Sequence, residues 1–142
     1  MAVRLREFRL EDHEEAYALW AGTEGIGLSE ADSRENIAAF LERNPGLSFV
    51  AIGESGRLVG AVLCGTDGRR GYLHHLAVVK AHRNDGIGNG LVHRSLASLR
   101  ERGIAKCHIF VISDNEEGKR FWERIGWEER TSLIIMSRDL SS

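Results

Sequence analysis

Three glycines at alternate positions, Gly86, Gly88 and Gly90, follow the apolar run Leu76-Ala77-Val78-Val79 and a basic loop. They open a segment with helical periodicity. The chemistry such a turn can do is anion binding. The first N–H groups of a helix lack intrahelical partners, and the helix dipole favours negative charge there. Residues without side chains let those groups approach a ligand closely. A diphosphate fits that need. The G-x-G-x-G spacing, with Lys80 to Asp85 interposed after the strand, departs from the dinucleotide fingerprint G-x-G-x-x-G. Nothing matches a G-x-x-x-x-G-K-[ST] phosphate loop. Just upstream, Tyr72, His74 and His75 lie on the strand that leads into the turn. Histidine is the side chain whose ordinary titration falls near neutral pH. Strict alternation places Tyr72, His74 and Leu76 on one face of that strand, and His75 and Ala77 on the other.

The elements that must position these residues are legible along the chain. Val3 to Arg9 reads as a first strand. Glu11 and Asp12 suit a helix start, with His13, Ala16, Tyr17 and Trp20 on one face. Gly22, Gly25 and Gly27 make a loop. Asp32 or Ser33 can cap a second helix with Ile37, Phe40 and Leu41 as its apolar stripe, and Pro45 stops it. Phe49 to Gly53 and Leu58 to Gly65 flank Glu54-Ser55-Gly56-Arg57, a hairpin signal. Tyr72 to Val79 is a strand, and Gly88 to Arg102 a helix ended by Gly103. Cys107 to Ile112 is a short strand, Asn115 to Ile125 a helix ended by Gly126, and Ser132 to Arg138 a last strand. The order β-α-α-β-β-β-α-β-α-β predicts a mixed sheet with helices on its faces.

The residues that carry the turn also carry a resemblance. Arg83-Asn84-Asp85-Gly86-Ile87-Gly88 matches the [Q/R]-x-x-G-x-[G/A] signature of the GCN5-related N-acetyltransferase (GNAT) superfamily. Leu76-Ala77-Val78 looks like that family's fourth strand. The segment Asn115 to Trp127 resembles its N-x-x-A-x-x-F-Y-E-K-x-G-F run. Three segments in order, over nearly the whole chain, make the resemblance strong. It implies an α/β (α+β) GNAT fold as a single domain over residues 1–142. A mixed, mostly antiparallel sheet of six or seven strands is then flanked by about four helices. It also implies acetyl-CoA as donor, with transfer to a primary amine of a small molecule or to an exposed protein amino group in a ternary complex. By that analogy the amides of Arg83, Asn84, Asp85, Gly86, Ile87, Gly88 and Asn89 hold the pyrophosphate. The backbone of Leu76, Ala77, Val78 and Val79 pairs with the pantetheine arm as an added strand would. Asn115 resembles the family's asparagine on the pantetheine side, and also suits an N-cap.

Acetyl transfer to an amine needs a base, because an alkylamine of pKa about 10.4 is protonated at neutral pH. It also needs a donor toward the carbonyl oxygen, and a proton or donor for the leaving thiolate. Family members often place the base on the strand that here reads Leu73-His74-His75-Leu76. His74 is the first candidate and His75 the second. Where the family often has a tyrosine acid, this chain has Trp122, whose indole is a donor but not an acid. Trp122 then lines the thioester site or packs in the core, and Tyr72, Tyr17 or water supplies the proton. This departure keeps a second reading open, a catalytically weak acyl-CoA-binding module. Glu24, Glu30 and Asp32, in the loop before the second helix, read either as an attraction for a cationic acceptor or as a solvated acidic loop.

The whole chain sets outer limits. Its 142 residues carry a net charge of −2 with 42% hydrophobic and 28% charged residues, a globular balance that gives no case for nucleic acid or an anionic membrane. No apolar run approaches the ~20 residues of a membrane span, and the N-terminus lacks the apolar core of a signal peptide. A cytoplasmic protein, monomer or homodimer, is expected. Cys64 and Cys107 read as small buried hydrophobes. The remaining histidines show no ligand-like cluster, so no metal site is expected.

Overall fold

The computed structural model describes residues 2–141, which form two compact units divided between Phe110 and Val111. In the first unit, β1 (Arg4–Glu7), β2 (Phe49–Ile52), β3 (Leu58–Thr66), β4 (Gly71–Val78) and β5 (Cys107–Ile109) form one sheet in the order β1-β2-β3-β4-β5. The first three pairings are antiparallel and the last is parallel. The helices are α1 (His13–Ala21), α2 (Arg34–Arg43) and α3 (Ile87–Glu101). The second unit contains α4 (Glu116–Arg124). The mixed sheet and four helices match expectation. The strand count does not: five strands stand among the described residues where six or seven were expected.

The missing strand is Ser132 to Arg138, which is irregular, with Leu133 to Met136 between 62% and 87% exposed. The apolar run has strand composition, but composition does not supply a partner edge. β5 is likewise shorter than expected, ending at Ile109, and only half-buried.

The two faces of the sheet are set by period-two alternation along β3. Ala61 and Leu63 point into a core with Phe8, Ala16, Trp20, Val50 and Ile37, beneath α1 and α2. Gly60 and Gly71 turn the other way and admit α3. A Cβ on Gly71 would lie 2.5 Å from Leu99, so only glycine lets the C-terminal end of α3 seat there. Helix ends follow their chemistry. Ser33, not Asp32, caps α2, its hydroxyl accepting from the Asn36 N–H at 3.2 Å. Both α3 and α4 end in Schellman turns. Gly103 and Gly126 occupy the left-handed position, and Ile104 and Trp127 donate back to Leu99 and Trp122.

The entry to α1 is tied electrostatically. Arg6 grips both oxygens of the buried Asp12 at 2.8 Å, and Arg9 adds its backbone N–H. Burial pushes the Asp12 carboxyl up, but the hydrogen bonds from Arg6 and Arg9 outweigh it, leaving the group below its ordinary value. No helix among the described residues is long and apolar enough to cross a membrane.

Candidate functional site

β4 departs from the alternation read in the sequence. His74 pairs with Leu63 and Ala77 with Ala61, so β4 spends one residue more than β3 over this stretch. That is a β-bulge, which re-aims side chains and bends its strand. His75 takes the extra turn in the left-handed region at φ 55. The expected split of faces is therefore corrected. Cross-strand partners share a face, so Tyr72 (opposite Gly65), His74 and Ala77 all lie on the α1/α2 side. His75 is there too: its ring packs 5.1 Å from Trp20, and its Nε2 donates to Asp32 Oδ1 at 2.8 Å. Both histidines thus face the side that carries α1, α2 and the loop between them.

Their surroundings differ. The ring of His74 meets Phe40 of α2 edge-on at 6.2 Å. Burial holds its imidazole below the ordinary histidine range; the neighbouring His75 acts in the same sense and Asp32 opposes it. Asp32 is buried rather than part of a solvated acidic loop. Its Oδ2 accepts from the Ser29 N–H at 3.1 Å, and its backbone carbonyl accepts from His13 Nε2 at 2.9 Å. Sequence reasoning missed this junction. The one signal for it was the Ser29-x-x-Asp32 spacing of a capping box. Tyr72 is half-buried, its ring 5.8 Å from that of His108 on β5.

Beyond the bulge, β4 has an unequal pair of edges. β3 pairs along one side as far as Val78, whereas β5 pairs on the other side only at Gly71, Tyr72 and Leu73. Val79 donates to Val59 on the β3 side, so by alternation the Val78 carbonyl points the other way. Arg83 Nε donates to that carbonyl at 3.0 Å, folding the side chain over the strand end. Leu76, also on the unpaired edge by alternation, leaves its backbone groups open to an extended ligand.

The strand then runs through a 3-10 turn (Lys80–His82) into the glycine turn. Asn84 at φ 70 and Gly86 at φ 82 are both left-handed, a backbone form that gathers N–H groups into an anion-sized concavity. No side chain caps α3, so the N–H groups of Ile87, Gly88 and Asn89 keep no intrahelical partner. A groove of about 530 Å³ opens beside the turn, lined by Val3, Leu5, His82, Asp85 and Gly86. A Cβ on Gly86 would meet nothing within 4 Å, so its glycine answers to the left-handed backbone rather than to packing. Gly90 instead meets Leu5 of β1, where a Cβ would lie at 3.3 Å, and serves packing. The turn thus fits a diphosphate on its own geometry.

In the second unit Asn115 caps α4, its Oδ1 accepting from the Gly118 N–H at 2.9 Å. Trp122 is buried, its ring 5.0 Å from Trp127 and 5.1 Å from Phe121. The Trp122–Trp127 contact joins the two ends of the Schellman turn.

Comparisons with known proteins agree with this fold. The family model "Acetyltransferase (GNAT) family" matches residues 6–127, spanning both units. An acetyltransferase of Sodalis glossinidius is 30% identical over 138 residues, which is 97% of this chain and 96% of that protein. Among solved structures, Ard1 of Thermoplasma volcanium superposes with a TM-score of 0.78 at 23% identity, over 89% of this chain and 82% of that one. The PaiA N-acetyltransferase of Thermoplasma acidophilum, solved in complex with coenzyme A, gives 0.75 at 19% identity, over 90% and 91%. At those identities the structures speak to the fold alone. The activity follows from the family match: the chain belongs to the acetyltransferase (GNAT) family, whose donor is acetyl-CoA, and is an N-acetyltransferase.

Proposed function

We propose that the protein transfers acetyl from acetyl-CoA to a primary amine, of a small molecule or of an exposed protein or peptide amino group, by direct attack in a ternary complex. The observation that carries this reading is the uncapped, left-handed turn at the start of α3, reached from a strand edge that β5 leaves unpaired. The pyrophosphate sits on the amides from Arg83 to Asn89. The pantetheine lies along Leu76 to Val79. The amine proton goes to an imidazole of β4, His74 being the one that the sequence singles out and His75 its neighbour. Tyr72 returns a proton to the thiolate. The strand amides beside the bulge receive charge developing on the carbonyl oxygen.

The test is binding and turnover. Calorimetry should detect acetyl-CoA, and thiol release should appear with one class in an amine panel. The relatives suggest its members. One similar fold is that of a glucosamine-6-phosphate N-acetyltransferase, another that of an aminoglycoside 6'-N-acetyltransferase and another that of a ribosomal-protein-S18-alanine N-acetyltransferase. Amino-sugar phosphates, aminoglycosides and N-terminal alanyl peptides therefore belong in the panel with polyamines. Protein that fails to bind acetyl-CoA overturns the proposal. Trp122 favours a second reading, because a buried indole offers no acid; tight acetyl-CoA binding without thiol release from any amine would select a weakly catalytic acyl-CoA-binding module.

A further inference from the structure

Asp32 joins three parts of the first unit through one residue. It holds Ser29 in its own turn, His13 of α1 and His75 of the β4 bulge. A buried carboxylate needs such donors. A carboxylate also fixes the tautomer of its imidazole partner. Nε2 of His75 carries the proton, and in the neutral ring Nδ1 then presents its lone pair. The residue is held in a left-handed conformation that a non-glycine side chain adopts at a cost. Trp20 packs on one side of the ring, and the His75 side chain keeps 18% exposure. His74 has a different setting: an aromatic edge from Phe40, burial, and no hydrogen bond to a carboxylate, Asp32 acting on it only at a distance. An imidazole that must become cationic during turnover is stabilised by an adjacent anion and opposed by desolvation.

We infer that His75, oriented by Asp32, is the catalytic base for the acceptor amine, and that Asp32 is its positioning residue. The inference rests on the acetyl-transfer reading above and assigns its proton. The acceptor R–NH3+ gives one proton to His75 Nδ1. The resulting amine lone pair forms the C–N bond at the thioester carbon. The C–S bond then breaks and its electron pair leaves with CoA as thiolate. Tyr72 gives its proton to the thiolate and is reprotonated by the second proton of the nitrogen, and His75 returns its proton to solvent. The ionisable groups around His75 are Asp32 from the turn before α2, His74 on its own strand, and His13 of α1 through the Asp32 carbonyl, with Tyr17 beside His13.

The experiment compares His75→Ala, His75→Asn, Asp32→Asn and His74→Ala, using acetyl-CoA and the best amine of the panel. His75→Ala should lower kcat/KM for the amine by roughly 10²–10³-fold, the scale of a general base. Its affinity for acetyl-CoA should stay within about twofold, and raising the pH should recover part of the loss because the amine deprotonates itself. His75→Asn should be equally impaired. Asparagine tolerates the left-handed backbone and can donate to Asp32, but it takes no proton. Asp32→Asn should lower kcat by about tenfold or more while acetyl-CoA affinity stays within about twofold, since the imidazole loses the acceptor that fixes its tautomer and ring. His74→Ala should cost less than about tenfold. Activity retained in His75→Asn would make the residue a backbone clamp and overturn the inference. So would an unchanged kcat in Asp32→Asn, or loss confined to His74→Ala. Wild-type protein that acetylates no amine overturns the acetyl-transfer reading together with this assignment; acetylation that survives His75→Ala overturns this assignment alone.

Discussion

Replacing Gly88 with valine separates ligand approach from chain geometry, because the two readings give opposite signs. Gly88 is the second residue of α3 and faces no positive-φ requirement. In a helix, valine is a few tenths of a kcal/mol more favourable than glycine, so the melting temperature should hold or rise by about 1 °C. The affinity should fall. Its amide is among the first-turn N–H groups without an intrahelical partner. A branched side chain beside it keeps phosphate oxygens out of hydrogen-bond range. One charge-assisted hydrogen bond contributes about 1.5–3 kcal/mol, so the acetyl-CoA Kd should rise roughly 10- to 100-fold. Calorimetry and thermal unfolding on the same preparation read both quantities. An unchanged Kd would mean that the turn serves geometry alone, and the phosphate assignment would fail. A large fall in melting temperature would mean that Gly88 packs more tightly than its half-buried setting implies.

Other outcomes follow from the contacts. Arg6→Ala leaves the buried Asp12 carboxylate with one donor and should destabilise by about 2 kcal/mol, less than a fully buried pair because Arg6 keeps some exposure. Asp12 sits below its ordinary value when folded, so its contribution is present above about pH 4 and lost as pH falls further; urea unfolding between pH 3 and 7 should show a flatter acid limb in the mutant. Ser33→Ala should cost about 1 kcal/mol, seen as a shift of about 3 °C in melting. Burial pushes the Cys64 thiol up to about 12 and Cys107 up to about 11, so a thiol reagent at pH 8 should label both slowly in the native protein and fast in denaturant. Rapid native labelling of Cys64 would contradict its burial.

Much of this was readable from local chemistry. Helix ends are local, and Ser33, Asn115, Gly103 and Gly126 stand where capping rules place them. The uncapped glycine turn was visible because its spacing and flanks constrain it. The bulge at His75 was not, since alternation carries no mark where a strand inserts a residue; only the partner register reveals it. The role of Gly90 was hidden for a related reason, its neighbour Leu5 being distant in sequence. The Asp32 junction likewise depends on contacts between segments far apart in the chain. The expected strand at Leu133 to Met136 shows the same limit from the other side, because apolar composition does not specify an edge to pair with.

The extra residue in β4 also acts as a spacer. Each strand residue advances the chain by about 3.3 Å, and a bulge takes up a residue with little gain along the partner strand. Deleting one residue from His74–Leu76 would repair the ladder with β3. It would also draw the glycine turn about one step nearer to Tyr72 or turn every preceding side chain to the opposite face. A pantetheine arm has a fixed length, so in the proposed binding mode the count of residues between the imidazoles and the turn would set where its thioester ends. Local stability and catalytic reach are therefore opposed at this position: the variant with the more regular sheet would be the one whose acetyl group arrives out of register.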